Sequence, residues 1–464
     1  FKFAAVKGAK QFGEGAQVSF QVAPEDCTGC GLCADICPAK DKQNEGKKAL
    51  NMVHYTPELR KTESENWEFF YKQLPDVDRK LVKQDSVKGV SMLRPLFEFS
   101  GACTGCGETS YVRLVSQLFG DRMLVANATG CSSIYGGNMP TTPWCTNDEG
   151  RGPTWNNSLF EDNAEFGLGL RVAANTRRIY AEQLTRKLAD KVGTDLADAI
   201  LNADETTEDG IEEQRVRINA LREKLQGIDS FEARELLSLS GDLSKKSVWI
   251  MGGDGWAYDI GYGGVDHALS TGENINILVV DTEVYSNTGG QKSKATPRGA
   301  IAKFAAGGKP NGKKDIALMA MSYGDVYVAQ IAYGAKDAHT LKAIRDAEAY
   351  DGPSLILAYA PCIAHGIKMI DNHRQQELAV NTGHWPLFRF DPRRAENGEN
   401  PLVIDSKKPS IPYIDFLKSE PRFNMLWSMK PEEAEKFAAE SQIQAMSRYN
   451  YYTQLANNTW GAEE

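Results

Sequence analysis

The sequence predicts an α/β protein built on a mostly parallel sheet, with a small cysteine-rich segment ahead of it. Short apolar segments bounded by Gly, Asp or Pro recur at residues 122–127, 247–251, 276–280, 316–321 and 355–359. Helix-like stretches such as 110–119 and 337–350 lie between several of them. This alternation of short apolar segments and helical periodicity is typical of parallel strands joined by helices.

The pattern along the chain divides it into four parts. We predict a cysteine-rich segment at 1–45, a polar connector at 46–95, the sheet domain at 96–390 and a wrapping tail at 391–464. Helical periodicity without strands at 171–245 predicts a helical hairpin inserted into the sheet domain. The tail is Pro-rich at first and ends in a predicted helix at 431–455.

Composition excludes several classes of protein. The 464 residues are 41% hydrophobic and 25% charged, which is ordinary for a globular chain and excludes a wholly disordered one. A net charge of -9 argues against a nucleic-acid partner. Apolar runs are too short for a membrane span, and no secretory signal is visible. Because the chain begins at Phe1, we expect an N-terminal portion to precede it.

The first candidate site is a run of closely spaced cysteines. Cys27, Cys30, Cys33 and Cys37 follow the C-x-x-C-x-x-C-x-x-x-C-P spacing of bacterial ferredoxins. This spacing favours a 4Fe–4S cluster over structural zinc, which usually takes paired ligands separated by a long gap. In such proteins the fourth cysteine binds a second cluster. The three partners of Cys37 would then lie upstream, unless Cys37 has a different purpose.

The second candidate site is formed by cysteines that are scattered along the chain. Cys103 and Cys106 precede a predicted helix, whereas Cys131 and Cys362 each follow a predicted strand. Loops at the carboxyl edge of a parallel sheet can bring such residues together. The spacing is compatible with an iron–sulfur cluster or with zinc. Cys145 has no partner in the pattern and is interpreted as structural.

The third candidate site is a glycine-rich turn after the predicted strand 247–251. Asp254 lies in this turn, where its charge would repel a bare pyrophosphate. A Mg2+ ion between the carboxylate and a diphosphate would remove that conflict, since Mg2+ prefers oxygen ligands. The Thr282 hydroxyl and the Val284 carbonyl, after strand 276–280, could complete the metal shell. The alternative is a plain glycine-rich turn.

Taken together, these residues resemble a known family. The Gly253-Asp254-Gly255 turn is similar to the thiamine diphosphate motif, although Asp281-Thr282 stands where common thiamine enzymes carry two asparagines. With the cysteines, this variant resembles the pyruvate:ferredoxin (flavodoxin) oxidoreductases. The ferredoxin-type run ahead of the thiamine domain is similar to the single-chain form of that family, whose C-terminal part this chain resembles.

The resemblance implies a set of cofactors and ligands. It implies a proximal 4Fe–4S cluster at Cys103, Cys106, Cys131 and Cys362, ferredoxin-type 4Fe–4S clusters at Cys27, Cys30, Cys33 and Cys37, and Mg2+ at Asp254, Thr282 and Val284. It implies that thiamine diphosphate is lined by Glu108, Cys131, Gly253, Asp254, Gly255, Trp256, Thr282, Glu283, Val284, Tyr285, Ser286 and Asn287. Asn287 would also approach the 2-oxoacid as a catalytic residue. Related enzymes for larger acids tend to carry Met there, which favours pyruvate.

The activity implied by the resemblance is oxidative decarboxylation of pyruvate, with coenzyme A, to acetyl-CoA and CO2. Electrons would pass through the 4Fe–4S clusters to ferredoxin or flavodoxin. The pyrimidine-binding domain would lie upstream, so we expect this chain to be incomplete as an enzyme without its upstream domains or a partner subunit. The family also implies a homodimer in the cytoplasm, or in an organelle of an anaerobic eukaryote.

Two alternative functions fit parts of the pattern. One is another 2-oxoacid:acceptor oxidoreductase, including a pyruvate:NADP+ enzyme with a reductase domain beyond residue 464. The other is a non-enzymatic iron–sulfur electron-transfer subunit whose remaining cysteines bind zinc. The six histidines are scattered and belong to no motif; for His365, close to Cys362, we interpret the ring as making a local hydrogen bond rather than binding the cluster.

Overall fold

A computed structural model describes residues 4–5, 12, 15–137 and 141–459, and its centre is an eight-stranded sheet. The strands are β1 Ala4–Ala5, β2 Gln17–Val18, β3 Met123–Ala128, β4 Thr154–Ser158, β5 Ser247–Gly253, β6 Asn276–Asp281, β7 Tyr327–Ile331, β8 Ser354–Tyr359, β9 Phe388–Phe390 and β10 Leu402–Ile404. The sheet order is β10-β9-β7-β8-β6-β5-β3-β4, while β1 and β2 pair separately. Strands β4, β3, β5, β6, β8 and β7 are parallel, and β9 and β10 join antiparallel. The predicted mostly parallel α/β fold is confirmed.

Helices cover both faces of this sheet and form the insertion and the tail. In chain order they are α1 Leu32–Ile36, α2 Pro57–Lys72, α3 Val87–Val90, α4 Thr109–Phe119, α5 Cys131–Gly136, α6 Asn163–Lys187, α7 Ala189–Val192, α8 Thr194–Leu201, α9 Glu208–Gln226, α10 Phe231–Leu239, α11 Tyr262–Ser270, α12 Ile316–Met321, α13 Asp337–Glu348, α14 Asn372–Asn381, α15 Tyr413–Ser419, α16 Pro421–Met429 and α17 Pro431–Asn457. No helix in this described part of the chain combines the length and apolar composition that a bilayer span requires.

The central strands are apolar along their whole length because both faces of the sheet are covered. All six residues of β6 and of β8 are buried. Along β5, Val248 and Ile250 belong to one hydrophobic core, and Trp249 and Met251 belong to the core on the opposite face. This alternation follows from the two-residue period of a strand, and two apolar faces are what a buried parallel strand requires.

One predicted strand is wrong. Residues 316–321 form helix α12, and the strand that follows is β7 at Tyr327–Ile331. The side chain of Asp315 accepts a hydrogen bond from the Leu318 N–H (3.0 Å) and caps the helix. By periodicity alone, a short apolar run is compatible with a strand or with a helix. The Asp315 cap and the neighbouring elements favour the helix.

The insertion is helical as predicted, but it is larger than a hairpin. It begins at Asn163 and contains the five helices α6 to α10. These helices enclose a hydrophobic core of their own, with Leu184, Leu221 and Leu236 almost fully buried. The extra helices arise because the segments 189–201 and 231–239 also present apolar residues to that core.

The predicted tail helix is confirmed as α17, at Pro431–Asn457. The part of the tail that precedes it is more regular than expected, since β10 extends the sheet and α15 and α16 pack beside α17. The connector likewise contains a regular element, α2, which Thr56 caps through its side chain. In contrast, Ala23 and Gly31 are the only buried residues between 15 and 55.

Candidate functional site

Four neighbouring strands bring the predicted site residues to one edge of the sheet. Strands β8, β6, β5 and β3 are adjacent and parallel, so their carboxyl ends lie side by side. Cys362, Thr282, Asp254 and Cys131 each follow one of these strands within three residues. Ligand sites of open parallel sheets lie at this edge. The topology therefore supplies one site with residues from four separate parts of the sequence.

The oxygen atoms predicted to bind Mg2+ are close together. Asp254 is fully buried, and its Oδ1 accepts hydrogen bonds from the N–H (3.2 Å) and the hydroxyl (3.0 Å) of Thr282. The same hydroxyl lies 3.0 Å from the carbonyl oxygen of Val284. Ser293 donates to the other carboxylate oxygen at 2.6 Å. Three oxygens of different chemical type thus converge, and oxygen ligands are those that Mg2+ prefers.

The electrostatics of Asp254 also fit a cation. Burial, and then the charge of Asp281, raise the pKa of Asp254 to about 8. A buried carboxyl beside another carboxyl is stable only if it is protonated or paired with positive charge. A divalent cation at the converging oxygens would supply that charge. The donor set therefore fits the metal that the sequence predicts.

The glycines of the turn permit a close approach between two loops. A Cβ placed on Gly255 would lie 2.5 Å from the ring of Tyr285, so a larger residue would separate the two loops. The turn continues as a π-helical segment, Gly255–Ile260, a form often found at functional sites. Trp256 in this segment is buried, and its ring N–H has no partner in the described part of the chain. Gly253 ends β5 directly before the turn.

Glu108 carries a second sign of a functional site. It lies at the start of α4, is 3% exposed, and its Oε2 atom has no hydrogen-bond partner among the residues that the structure describes. Burial raises the pKa of Glu108 to about 7. Buried polar atoms are normally paired, so an unpaired carboxyl oxygen with a near-neutral pKa fits a position that contacts a bound group.

The four scattered cysteines are gathered without forming a finished metal site. Burial, followed by the charge of Glu108, raises the pKa of Cys131 to about 12, and Cys362 and Cys103 add to this effect. Burial raises the pKa of Cys362 to about 11, with a further contribution from Cys103. Burial and then Glu108 raise the pKa of Cys106 well above its usual value. Within the described residues, no three or more His, Cys, Asp or Glu side chains stand close enough to hold a metal.

The loop after β6 continues over this cluster of thiols. The Ser286 hydroxyl lies 3.2 Å from the Cys131 sulfur, which connects the loop to the start of α5. The N–H of Tyr285 donates to the carbonyl of Gln291 (2.9 Å), so the loop folds back on itself. Asn287 is exposed at the tip of this fold. Its side chain is thus accessible to a ligand from outside.

Comparison with known families agrees with this geometry. Residues 237–358 match the model of the thiamine pyrophosphate enzyme C-terminal TPP binding domain, and residues 20–40 match the 4Fe-4S binding domain. The first match contains the Asp254 turn and the Thr282 loop, and the second contains all four cysteines of the run. The two predicted kinds of cofactor domain, one for thiamine diphosphate and one for 4Fe–4S, are confirmed.

Individual relatives extend this similarity to almost the whole chain. The chain is 57% identical over 446 residues, 95% of its length, to a pyruvate-flavodoxin oxidoreductase of Trichormus variabilis. It is 49% identical over 452 residues, again 95% of its length, to a pyruvate:ferredoxin oxidoreductase of Moorella thermoacetica. The family resemblance inferred from the sequence is confirmed. The chain spans 37% and 38% of the lengths of these two relatives.

A solved structure overlaps the chain more loosely. It is the 2-oxoglutarate:ferredoxin oxidoreductase from Magnetococcus marinus with 2-oxoglutarate, coenzyme A and succinyl-CoA bound. The overlay covers 63% of this chain and 70% of that chain, with 16% sequence identity and a TM-score of 0.35.

Within the thiamine pyrophosphate-binding domain, Glu283 differs from its neighbours on the loop. Its side chain is fully buried and accepts hydrogen bonds from Lys313 (3.2 Å), His384 (2.9 Å) and Arg422 (2.7 Å). This carboxylate is therefore occupied by the protein's own side chains and is not free to bond thiamine diphosphate. No motif marks Lys313, His384 or Arg422, so none of them was predicted as a partner of Glu283.

His365 connects two loops of the thiamine pyrophosphate-binding domain. Its Nε2 donates to the Thr282 carbonyl oxygen (2.7 Å), and its Nδ1 lies 3.4 Å from the N–H of Cys362. Burial, and then the charge of Arg422, lower the pKa of His365 to about 3, so the ring is neutral. The hydrogen-bonded role predicted for this histidine is confirmed. The bonds tie the loop of Cys362 to the loop of Thr282.

The match to the 4Fe-4S binding domain lies against the same region. Cys27 and Cys33 are exposed in this segment. Arg374 pairs with Asp35 at 2.7 Å, and a Cβ on Gly31 would lie 2.9 Å from the Ile370 side chain. The cysteine run therefore contacts the chain that follows Cys362.

The residue next to Ile370 contacts the second group of cysteines. A Cβ on Gly105 would lie 2.8 Å from the Cβ of Met369. The amide of Asn372 donates to the Gly105 carbonyl at 2.9 Å. Residues 369–372 thus lie between the Cys103–Cys106 loop and the cysteine run.

Proposed function

We propose that this chain is the thiamine diphosphate-binding and iron–sulfur portion of an enzyme that oxidatively decarboxylates pyruvate. The products would be acetyl-CoA and CO2, with coenzyme A as co-substrate and ferredoxin or flavodoxin as electron acceptor. The observation that carries the proposal is the position of the Asp254, Thr282 and Val284 oxygens beside four thiols at one sheet edge. The names of the relatives support pyruvate as substrate.

Each group at the site has a task that its environment supports. Asp254, Thr282 and the Val284 carbonyl would hold Mg2+, and the turn at Gly253–Trp256 would lie against the diphosphate. When bound, thiamine diphosphate supplies an electron sink for the carbanion that forms as CO2 leaves. Glu108, with a pKa of about 7, can keep its proton near neutral pH and donate it to a bound hydrogen-bond acceptor.

The thiols are proposed as cluster ligands. Cys103, Cys106, Cys131 and Cys362 would hold a 4Fe–4S cluster, which supplies one-electron chemistry beside the thiamine site. Cys27, Cys30, Cys33 and Cys37 would serve the ferredoxin-type clusters. Since the thiolate is the form that binds metal, the raised pKa values of Cys131 and Cys362 mean that cluster assembly must displace protons.

Substrate choice and assembly complete the proposal. The exposed Asn287 would approach the 2-oxoacid, and the tendency of related enzymes for larger acids to carry Met there favours pyruvate. The active protein would need a pyrimidine-binding domain from elsewhere in the same polypeptide or from a partner. We propose a cytoplasmic homodimer.

The test is coenzyme A-dependent reduction of a viologen dye by the anaerobically purified full-length protein that carries this chain. A panel of 2-oxoacids is compared with and without coenzyme A, and iron and thiamine contents are measured first. Reduction with pyruvate supports the proposal. Reduction with a larger acid alone keeps the chemistry and overturns the role given to Asn287. No reduction with any acid, from protein loaded with iron and thiamine diphosphate, overturns the enzyme function.

A further inference from the structure

We propose that Glu283 is a positioning residue for the metal-binding loop. A buried cluster of cationic and hydrogen-bond-donating side chains holds Glu283 in a left-handed backbone conformation, and that conformation presents the Thr282 hydroxyl and the Val284 carbonyl to Asp254. This inference rests on the proposed magnesium and thiamine diphosphate site. It assigns a role in metal affinity to side chains that do not touch the metal.

The backbone of Glu283 is the first observation. Its φ is +59°, in a region that residues with a Cβ adopt rarely because the side chain approaches the carbonyl oxygen. Among the described residues outside glycine, Phe99 and Phe304 share this feature, but both are exposed, whereas Glu283 is fully buried. A strained conformation persists only where surrounding contacts determine it, and such residues cluster at ligand sites.

The contacts that hold the Glu283 side chain come from three separate elements. Lys313 precedes α12, His384 follows α14 and Arg422 lies in α16. Their distances to the carboxylate are 3.2, 2.9 and 2.7 Å. Hydrogen bonds between charged groups are shorter and stronger than neutral ones, particularly in a buried environment. The carboxylate is therefore fixed from three directions.

The backbone of the same residue is held as well. The Glu283 N–H donates to Asp281 Oδ1 at 3.0 Å, and Asp281 in turn accepts from Lys313 at 2.6 Å. The Glu283 carbonyl accepts from the Thr296 hydroxyl at 2.6 Å. With its side chain, N–H and carbonyl all bonded, Glu283 cannot leave the left-handed region without breaking several buried hydrogen bonds.

The conformation of Glu283 sets the orientation of the two residues that flank it. Thr282 and Val284 are predicted metal ligands, and the single residue between them sets their relative orientation. The 3.0 Å separation of the Thr282 hydroxyl from the Val284 carbonyl depends on the turn at Glu283. If Glu283 relaxed to an ordinary conformation, these oxygens would move apart. Supporting groups of this kind typically change metal affinity by about 10- to 100-fold.

The primary experiment compares Glu283→Gln with the wild-type full-length protein. Affinity is measured by titration calorimetry, with Mg2+ at saturation and thiamine diphosphate as titrant, and then with Mn2+ as metal probe. We expect Glu283→Gln to weaken both affinities about 10-fold or more, since the amide cannot neutralise Lys313 and Arg422. Unchanged affinity in Glu283→Gln would overturn the proposal.

A matched control separates positioning from loss of a buried charge. Glu208 is a half-buried carboxylate that pairs with Arg79 (3.1 Å) and Arg122 (2.8 Å) where the insertion meets the sheet domain. Glu208→Gln should lower the melting temperature while leaving both affinities at the wild-type value. Equal loss of affinity in the two variants would show a general effect of destabilisation and overturn the positioning role.

A second pair of variants tests the backbone conformation directly. Glu283→Ala and Glu283→Gly both remove the carboxylate, but glycine adopts positive φ without a steric cost. We expect the glycine variant to retain the higher affinity, and equal affinities would contradict the role of the left-handed conformation. Arg422 pairs with Glu420 at 2.6 Å as well as with Glu283. If these variants do not fold, Arg422→Lys, which keeps a cation but cannot pair with both carboxylates together, should still weaken binding. Wild-type protein that binds neither metal nor thiamine diphosphate would overturn the proposed function and this inference together.

Discussion

The loops at the carboxyl edge of the sheet and the ferredoxin-type cysteine run are organised in opposite ways. In the loops, Asp254, Thr282 and Glu283 are at most 2% exposed, and hydrogen bonds from several elements fix each of them. In the run, Ala23 and Gly31 are the only buried residues between 15 and 55. One region owes its shape to the fold around it, whereas the other has almost no core.

This difference indicates that cofactor binding affects the folding of the two regions differently. A segment of about 40 residues cannot bury enough apolar surface to be stable on its own, and small domains of this kind usually depend on metals, disulfides or partners. For the cysteine run, cluster binding should contribute directly to folding. At the sheet edge, the protein already holds the oxygens of Asp254, Thr282 and Val284 close together, so binding at the proposed Mg2+ site should require little reorganisation.

The largest effect is expected from removing the central carboxylate of the ordered region. Asp254→Asn should lower the affinity for thiamine diphosphate with Mg2+ by more than about 100-fold, because the substitution removes the charged oxygen of the proposed metal site. Titration calorimetry on the full-length protein measures this. Ser293→Ala is the control. It removes a hydrogen-bond donor to the Asp254 carboxylate but leaves the charge of that carboxylate, so it should lower the affinity by a smaller factor. Similar affinities for Asp254→Asn and wild type would contradict the assignment of the metal site.

The cysteine run should respond through its own folding. Cys30→Ser is expected to remove about four iron atoms per chain and to make residues 15–55 sensitive to protease, while thiamine diphosphate affinity stays within about twofold. Iron analysis and limited proteolysis under anaerobic conditions test this. Cys145→Ser is the matched control, since Cys145 contacts the Pro95 carbonyl and should leave the iron content unchanged. A parallel loss of thiamine binding in Cys30→Ser would show that the two regions are not independent.

A glycine pair measures how firmly the run is docked. Gly31 and Gly46 share a φ of +81°, but a Cβ on Gly31 would meet Ile370 at 2.9 Å, whereas one on Gly46 meets nothing within 4 Å. Gly46→Ala should lower the free energy of unfolding by the backbone strain alone, about 1–2 kcal/mol. Gly31→Ala should lower it by about 1 kcal/mol more, because its Cβ would also meet Ile370. Hydrogen exchange of α1 amides reports the difference. Identical exchange would mean that the Ile370 contact does not hold the run.

The smallest effect, a change in folding stability, is expected at Asp405, which lies at the edge of the sheet away from the site. Asp405 accepts hydrogen bonds from Arg389 (2.9 Å) and His339 (3.0 Å). Although burial acts in the opposite direction, these bonds hold the pKa of Asp405 well below its usual value. The contribution of the Asp405 carboxylate to folding stability is therefore present above about pH 4 and is lost as the pH falls further.

Asp405→Asn tests this pH dependence. At pH 7, after allowing for solvent screening, the free energy of unfolding of the variant should be about 1 kcal/mol lower than that of wild type. This gap in stability should narrow below about pH 4. Denaturant unfolding across that range measures the gap. A gap that is constant with pH would exclude the charged pair as its cause.

The sequence predicted the site where one short pattern carries the chemistry. A glycine turn with Asp254 after an apolar strand predicts a diphosphate loop, and the parallel order of the sheet places the other loops beside it. Cys103, Cys106, Cys131 and Cys362 were grouped for the same reason. Each of these inferences depends on local spacing and on one general rule of parallel sheets.

The remaining features depend on contacts between distant parts of the chain. Lys313, His384 and Arg422 lie on different elements, and nothing in their local sequence marks them as partners of Glu283. The helix at 316–321 was missed because six apolar residues fit a strand as well as a buried helix. The five-helix insertion was underestimated because short helices with weak periodicity become regular only when they pack on a shared core.

Residues 369 and 370 set the gap between the two groups of cysteines. Met369 lies against Gly105 and Ile370 against Gly31, so the gap at this point is about the thickness of a single chain segment. Both glycines have positive φ and carry no side chain, and a larger residue at either position would widen the gap. The absence of side chains at Gly31 and Gly105 thus lets the Cys103–Cys106 loop and the ferredoxin-type run lie only one chain segment apart.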